Sequence, residues 1–174
     1  MEHVNFARLL LGGNADTTRR NARVEDAVYD QQNFDELFNL IFHHERALVL
    51  RAAAAVEKIT LRHPEYLLPH KQQLLQILKS ADHKELKRSV AVLVSRMSLE
   101  ESEVRVVWNI LMYEALNRNE RKSVRAGALE GLSNLAKQYP VFEGELRRVI
   151  DIVKREPIPS IHARLRKLNA KAPR

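Results

Sequence analysis

The sequence predicts an all-α chain, an α–α superhelix of about four two-helix repeats. Three observations point there. The 174 residues are rich in Leu, Ala, Val, Glu, Lys and Arg and hold only 5 Gly and 6 Pro, a composition that favours helix. From position 33 onward, apolar residues recur at the spacing of one helical face. The helices so marked then repeat every 37–38 residues, the signature of stacked units that cannot bury an apolar face alone.

Residues 1–32 stand outside the repeat. Val4 to Leu11 have the pattern of a short helix that Gly12-Gly13 ends, the two glycines reading as a loop or C-cap rather than a phosphate-binding loop. Asp16 is placed to cap a more polar helix over about 17–31. This segment is expected to be an N-terminal cap, helical or partly disordered, ahead of a solenoid over 33–174.

Within the solenoid each pair has a first helix, A, and a second, B. The first A helix is marked by Phe34, Leu37, Phe38 and Ile41, at i, i+3, i+4 and i+7. Asn33 with Glu36 has the capping-box pattern, as do Asp82 with Glu85 and Ser98 with Glu101. Pro64, Pro140 and Pro157 fall between periodic stretches, where helices stop or begin. The A helices are expected at about 33–43, 64–80, 99–116 and 141–155. The B helices are expected at about 45–62, 83–97, 120–138 and 160–171. The repeats are then 33–63, 64–98, 99–139 and 140–172, with connections short enough to force antiparallel packing.

The register rests on several positions at once. In the A helices, Leu37, Leu74, Leu111 and Val149 keep one interval, and so do Phe38, Leu75, Met112 and Ile150. In the B helices, Leu48, Leu86 and Val124 align, as do Ala52, Val90 and Ala128; Val56, Val94 and Leu132; and Ile59, Met97 and Leu135. These residues are the expected core, joined by Leu78.

Val124-Arg125-Ala126-Gly127-Ala128-Leu129-Glu130-Gly131-Leu132 resembles the second-helix signature of HEAT repeats. Pro64-Glu65-Tyr66-Leu67-Leu68-Pro69, followed by Leu74 to Lys79, resembles the first helix of a HEAT or armadillo-type repeat. The resemblance covers about 33–172 and implies the fold far more than the function. Such repeats often carry an Asp six residues before the Arg, building a polar ladder. Here that position is Asn119, and by apolar register Lys87 and Val49 take the Arg place in earlier repeats. An Asp–Arg ladder is therefore not expected.

Charge is uneven. Residues 157–174 hold Arg164, Arg166, Lys167, Lys171 and Arg174 and no acid, which is 5 of the net +7. Ile161, Leu165 and Leu168 form the apolar stripe of that last helix, and its cations occupy the remaining arc. The set fits either a polar cap on the solenoid end or an electrostatic patch. A second basic set, Arg118, Arg121, Lys122 and Arg125, lies one repeat earlier, partly balanced by Glu114 and Glu120.

Chemistry-bearing motifs are sparse. The chain has no cysteine, which excludes disulfides, Cys-based zinc sites and a thiol nucleophile. His43-His44-Glu45 is the most metal-like run, but adjacent helical residues point about 100° apart and no HExxH occurs, so no metal is expected. Trp108 shares an apolar face with Val104, Val107 and Leu111 and reads as core. No Ser–His–Asp spacing, Walker loop, GxGxxG or paired-carboxylate motif appears. The resemblance includes HEAT-like DNA glycosylases, whose site needs an acid and aromatics on the concave face, and the sequence does not place them. No cofactor and no catalytic residue is expected. Met1-Glu2-His3 lacks a basic n-region, and Leu9-Leu10-Leu11 is too short for a signal peptide or a membrane span. The expected location is the cytoplasm.

The sequence thus leads to a non-enzymatic protein-interaction or scaffold module. The resemblance implies that the B helices line its concave face. Candidate protein-binding residues there are Glu57, Lys58, Arg96, Glu130, Asn134, Lys137 and Arg166. The alternative is nucleic-acid binding through Arg121, Lys122, Arg125, Arg164, Arg166 and Lys167. A basic stripe continuous across repeats would favour nucleic acid, and a mixed-charge face would favour protein.

Overall fold

The structure, a computed structural model, describes residues 4–12, 17–80 and 85–170. Among them every regular element is helical. The α-helices are α1 (Phe6–Leu11), α2 (Thr17–Ala27), α3 (Gln31–Asn39), α4 (Arg46–Ile59), α5 (Lys71–Lys79), α6 (Lys87–Val94), α7 (Glu101–Leu116), α8 (Lys122–Gln138), α9 (Glu143–Lys154) and α10 (Pro159–Ala170). Short 3₁₀ stretches cover Leu40–Phe42, Pro64–His70 and Pro140–Phe142.

Prolines explain where the expected A helices shorten. The stretch 64–80 is not one α-helix. Pro69 has no N–H to give and sits inside the 3₁₀ stretch, so the α-helix begins at Lys71. Pro140 likewise opens a 3₁₀ turn before α9.

Two expected caps are corrected. Asn33 lies inside α3, buried, because Asp30 caps that helix and its Oδ1 accepts from Asn33 N at 2.8 Å. Ser98 stays outside α7. The capping residue is Glu100, and Glu103 Oε2 accepts from the Glu100 N–H at 2.8 Å. Asp82 and Asp16 lie outside the described residues, as does Gly13. Gly12 does end α1, its N–H donating to Arg8 O at 2.7 Å.

The chain divides into two compact units, one up to Leu68 and one from Pro69. In the first, α1, α2 and α3 all pack on α4. Phe6, Leu10 and Val24 are buried, and Arg51 on α4 donates to Leu10 O at 2.9 Å. The described residues before 33 thus pack against the second helix of the first pair. Glu25 of α2 pairs with Lys58 of α4 in the same unit.

In the second unit, α5, α7 and α9 are the A helices and α6, α8 and α10 the B helices. Successive A helices touch, successive B helices touch, and α8 lies against both α6 and α10. All twelve B-helix positions aligned by period are buried, from Leu48, Ala52, Val56 and Ile59 through to Val124, Ala128, Leu132 and Leu135. In the A helices, Leu37, Leu74, Leu111 and Val149 are buried. Met112 and Ile150, aligned with buried Phe38 and Leu75, are only half-buried. Burial of large side chains at about 1.5–3 kcal/mol each is what fixes this register.

Candidate interaction face

Because α8 is flanked by α6 and α10, only a narrow ridge of it reaches solvent. That ridge runs through Ser123, Ala126, Glu130, Asn134 and Lys137. Its polar groups tie the B helices together. Asn134 Nδ2 donates to Ser95 Oγ at 3.0 Å, and Gln138 Nε2 donates to Ser95 O at 2.7 Å. Toward α10, Arg164 NH2 lies 2.9 Å from Glu130 Oε2.

The structure brings five of the seven sequence-derived protein-binding residues onto these three helices or their ends. Glu130, Asn134 and Lys137 are on α8, Arg166 is exposed on α10, and Arg96 is half-buried just past α6. Glu57 and Lys58 lie on α4 in the other unit, with Lys58 held by Glu25.

The basic set is changed more deeply. Arg125 is not a surface cation: it is 1% exposed. Its Nε donates to Ala115 O at 2.9 Å, and its NH1 and NH2 donate to the two Glu156 oxygens at 2.8 and 2.9 Å. Buried and engaged through Nε, NH1 and NH2, it is removed from the nucleic-acid set. The hydrogen bonds from Arg125 hold the Glu156 carboxyl below its ordinary pKa of 4.5. The pair also supplies, with another acid, the inter-repeat polar link that Asn119 does not make. Arg164 is engaged by Glu130. Arg121, Lys122, Arg166 and Lys167 remain exposed, with Arg121 NH1 3.8 Å from Glu85.

A second ion-pair group sits near the α7–α8 turn. Lys87 Nζ is 3.0 Å from Glu120 Oε2 and 3.9 Å from Glu114 Oε1. Glu114 is buried and its Oε2 has no hydrogen-bond partner. Desolvation raises its pKa from 4.5 to about 7 against the pull of Lys87. Since the folded value lies above the unfolded one, the contribution of Glu114 to stability is greatest below 4.5 and falls as pH rises toward about 7. Glu114→Gln should therefore stabilise the chain at pH 8 by about 1–2 kcal/mol and have little effect at pH 4. Urea unfolding at the two pH values reads this directly, and equal effects at both would refute it.

Other sequence candidates resolve as packing. Trp108 is fully buried, its Nε1 donating to Glu145 Oε2 at 2.7 Å and its ring stacked on Phe142 at 4.4 Å between centroids. The His43 and His44 rings stack at 4.1 Å, and His43 Nδ1 accepts from the Glu45 N–H. Among the described residues no group of three or more acids and histidines is placed to hold a metal ion. Among them, too, no helix is long and apolar enough to cross a membrane.

Sequence reasoning missed an apolar groove of about 240 Å³ between α5 and α7, lined by Leu75, Leu78, Val106, Val107 and Ile110. Val106 is 42% exposed, and Tyr113 further along α7 is 70% exposed. Val106, Ile110 and Tyr113 stand at i, i+4 and i+7, a second apolar stripe beside the buried one. That spacing was the available signal, hidden because α7 is apolar on two sides.

The geometry defines an all-α solenoid of stacked helix pairs, with polar links from α8 to α6 and to α10. The model of the HEAT repeat domain matches residues 13–171, and the chain belongs to the HEAT repeat family. HEAT repeats generally mediate protein–protein interaction or scaffolding and are typically non-catalytic. Comparison with curated proteins returns no match, and comparison with solved structures returns none.

Proposed function

We propose that this chain is a non-enzymatic module that binds a partner protein across the B helices α6, α8 and α10, in the cytoplasm. One observation carries the reading: the Glu130–Arg164 pair interrupts the positive charge between α8 and α10. A surface that tracks a phosphate backbone needs consecutive unneutralised cations. Here Arg164 is paired and Arg125 is buried, leaving a face on which Glu130 breaks the run of cations, with polar side chains at Asn134 and Lys137. Stacked repeats offer such a face as a large continuous area. The exposed apolar stripe on α7 also fits protein contact better than phosphate contact.

Affinity capture from native lysate, with and without nuclease, tests the reading against its alternative. A partner is expected that survives nuclease and is lost with Lys137→Glu/Arg166→Glu. Duplex binding would overturn the reading if log K fell with log salt at a slope of about −3 to −4, as four phosphate contacts require, and if Arg166→Glu/Lys167→Glu removed it.

A further inference from the structure

A cleft of about 320 Å³ opens where the α7–α8 turn meets the α9–α10 turn, lined by Arg118, Arg125, Arg155, Glu156, Pro157 and Ile158. Glu156 is the one acid among these lining residues, and both its oxygens already accept from buried Arg125. Arg118 also pairs with Glu156, its Nε 3.6 Å from Oε1, while its side chain is 75% exposed. Arg155 is exposed on the opposite turn. Arg118, Arg125 and Arg155 thus line the cleft against the single Glu156 carboxylate, which both Arg125 and Arg118 already engage, so its lining keeps a surplus of two positive charges.

We infer that this cleft binds the phosphate group of a phosphorylated peptide, held between Arg118 and Arg155. The charge balance selects the ligand. A phosphomonoester carries about −1.5 to −2 near pH 7, which matches the surplus of two positive charges in the lining, whereas a carboxylate would offset only half of it. Arginine forks are built for paired contacts to phosphate oxygens. Pro157 and Ile158 give an apolar wall for the stem and neighbours of a modified side chain. A local pair of exposed cations at one cleft fits one anionic group, where a nucleic-acid backbone would need a track. The Arg125–Glu156 pair keeps the two turns together. This site lies apart from the α8 ridge, so the inference stands without the reading of that face.

The test uses the full chain and a short peptide with a central phosphoserine between leucines. Its unphosphorylated twin, inorganic phosphate and an oligothymidylate are the other probes. Amide resonances in NMR and calorimetric titration report binding. The phosphopeptide is expected to shift the amides of Arg118, Arg155, Glu156 and Ile158, and the unphosphorylated twin to leave them unmoved. Arg118→Ala/Arg155→Ala should weaken binding about tenfold or more, with melting temperature unchanged because both side chains are exposed and the buried pair remains. Arg118→Lys, which keeps the charge and loses the fork, should fall between. Absence of shifts at these amides, or binding indifferent to the double substitution, would overturn the site. Inorganic phosphate or oligothymidylate binding as tightly as the phosphopeptide through the same arginines would overturn the peptide assignment.

Discussion

Glu156→Ala is expected to destabilise the chain by about 3 kcal/mol, because it strands a buried guanidinium. Arg125 would keep its bond from Nε to Ala115 O but lose both bonds to Glu156. Breaking a buried pair from one side typically costs about 3–5 kcal/mol. The lower end applies here, since the adjoining cleft lets water reach one side of the pair. Arg125→Met/Glu156→Leu should recover much of the loss, because the uncompensated charge is gone. The pH dependence has a definite sign. The Glu156 carboxyl is held below its ordinary 4.5, so the pair contributes fully above that value and is lost as pH falls through the lowered folded one. Urea unfolding across the acid range should therefore show a slope that Glu156→Ala flattens. A near-neutral Glu156→Ala would show that Arg125 is already satisfied by other means.

Those two residues also show where sequence reading stops. Arg125 and Glu156 are 31 positions apart, in different helix pairs. Locally Arg125 is a cation among cations, next to Lys122 and Arg121 at the start of a helix, and reads as solvated. Its neighbour Val124 is buried and so is Gly127, so the apolar register already placed Arg125 on the edge of the core. Only the turn that brings Glu156 alongside makes its burial affordable. By the same logic the apolar positions were legible: a period of 37–38 residues is long-range information written in the chain, and every B-helix position it aligned is buried. Helix starts were less legible. Asp30 and Asn33 are both good caps three residues apart, and the helix takes the earlier one. Glu100 is a poor N-cap by type, whereas Ser98 two residues earlier is a good one, so residue type alone points to the wrong start. Helical spacing alone places Glu130, Asn134 and Lys137 along one side of α8, whereas turns carry no period that would mark a cleft between two of them.

Gly127→Val should cost about 3 kcal/mol, and it tests the packing on which the solenoid register depends. A Cβ at Gly127 would stand 2.8 Å from Arg88 O and 3.2 Å from Arg88 Cα, both backbone of α6. Four residues on, a Cβ at Gly131 would stand 2.9 Å from Ala91 O of the same helix. Two glycines one turn apart thus let α8 and α6 approach along their backbones, and Ala128 between them is fully buried. The obstacle at Gly127 is main chain, which cannot rotate away, so overpacking belongs at the top of its usual range of about 1–3 kcal/mol. A β-branched residue brings no large gain in helix propensity to offset it. Gly144 in α9 supplies the control: a Cβ there meets nothing within 4 Å. Gly144→Ala should be neutral or stabilising by a few tenths of a kcal/mol, since alanine is the better helix former near a helix start. Thermal unfolding of the two variants should differ widely in midpoint. Equal midpoints would mean that α6 and α8 do not meet at the glycines, and the B-helix register would have to be redrawn.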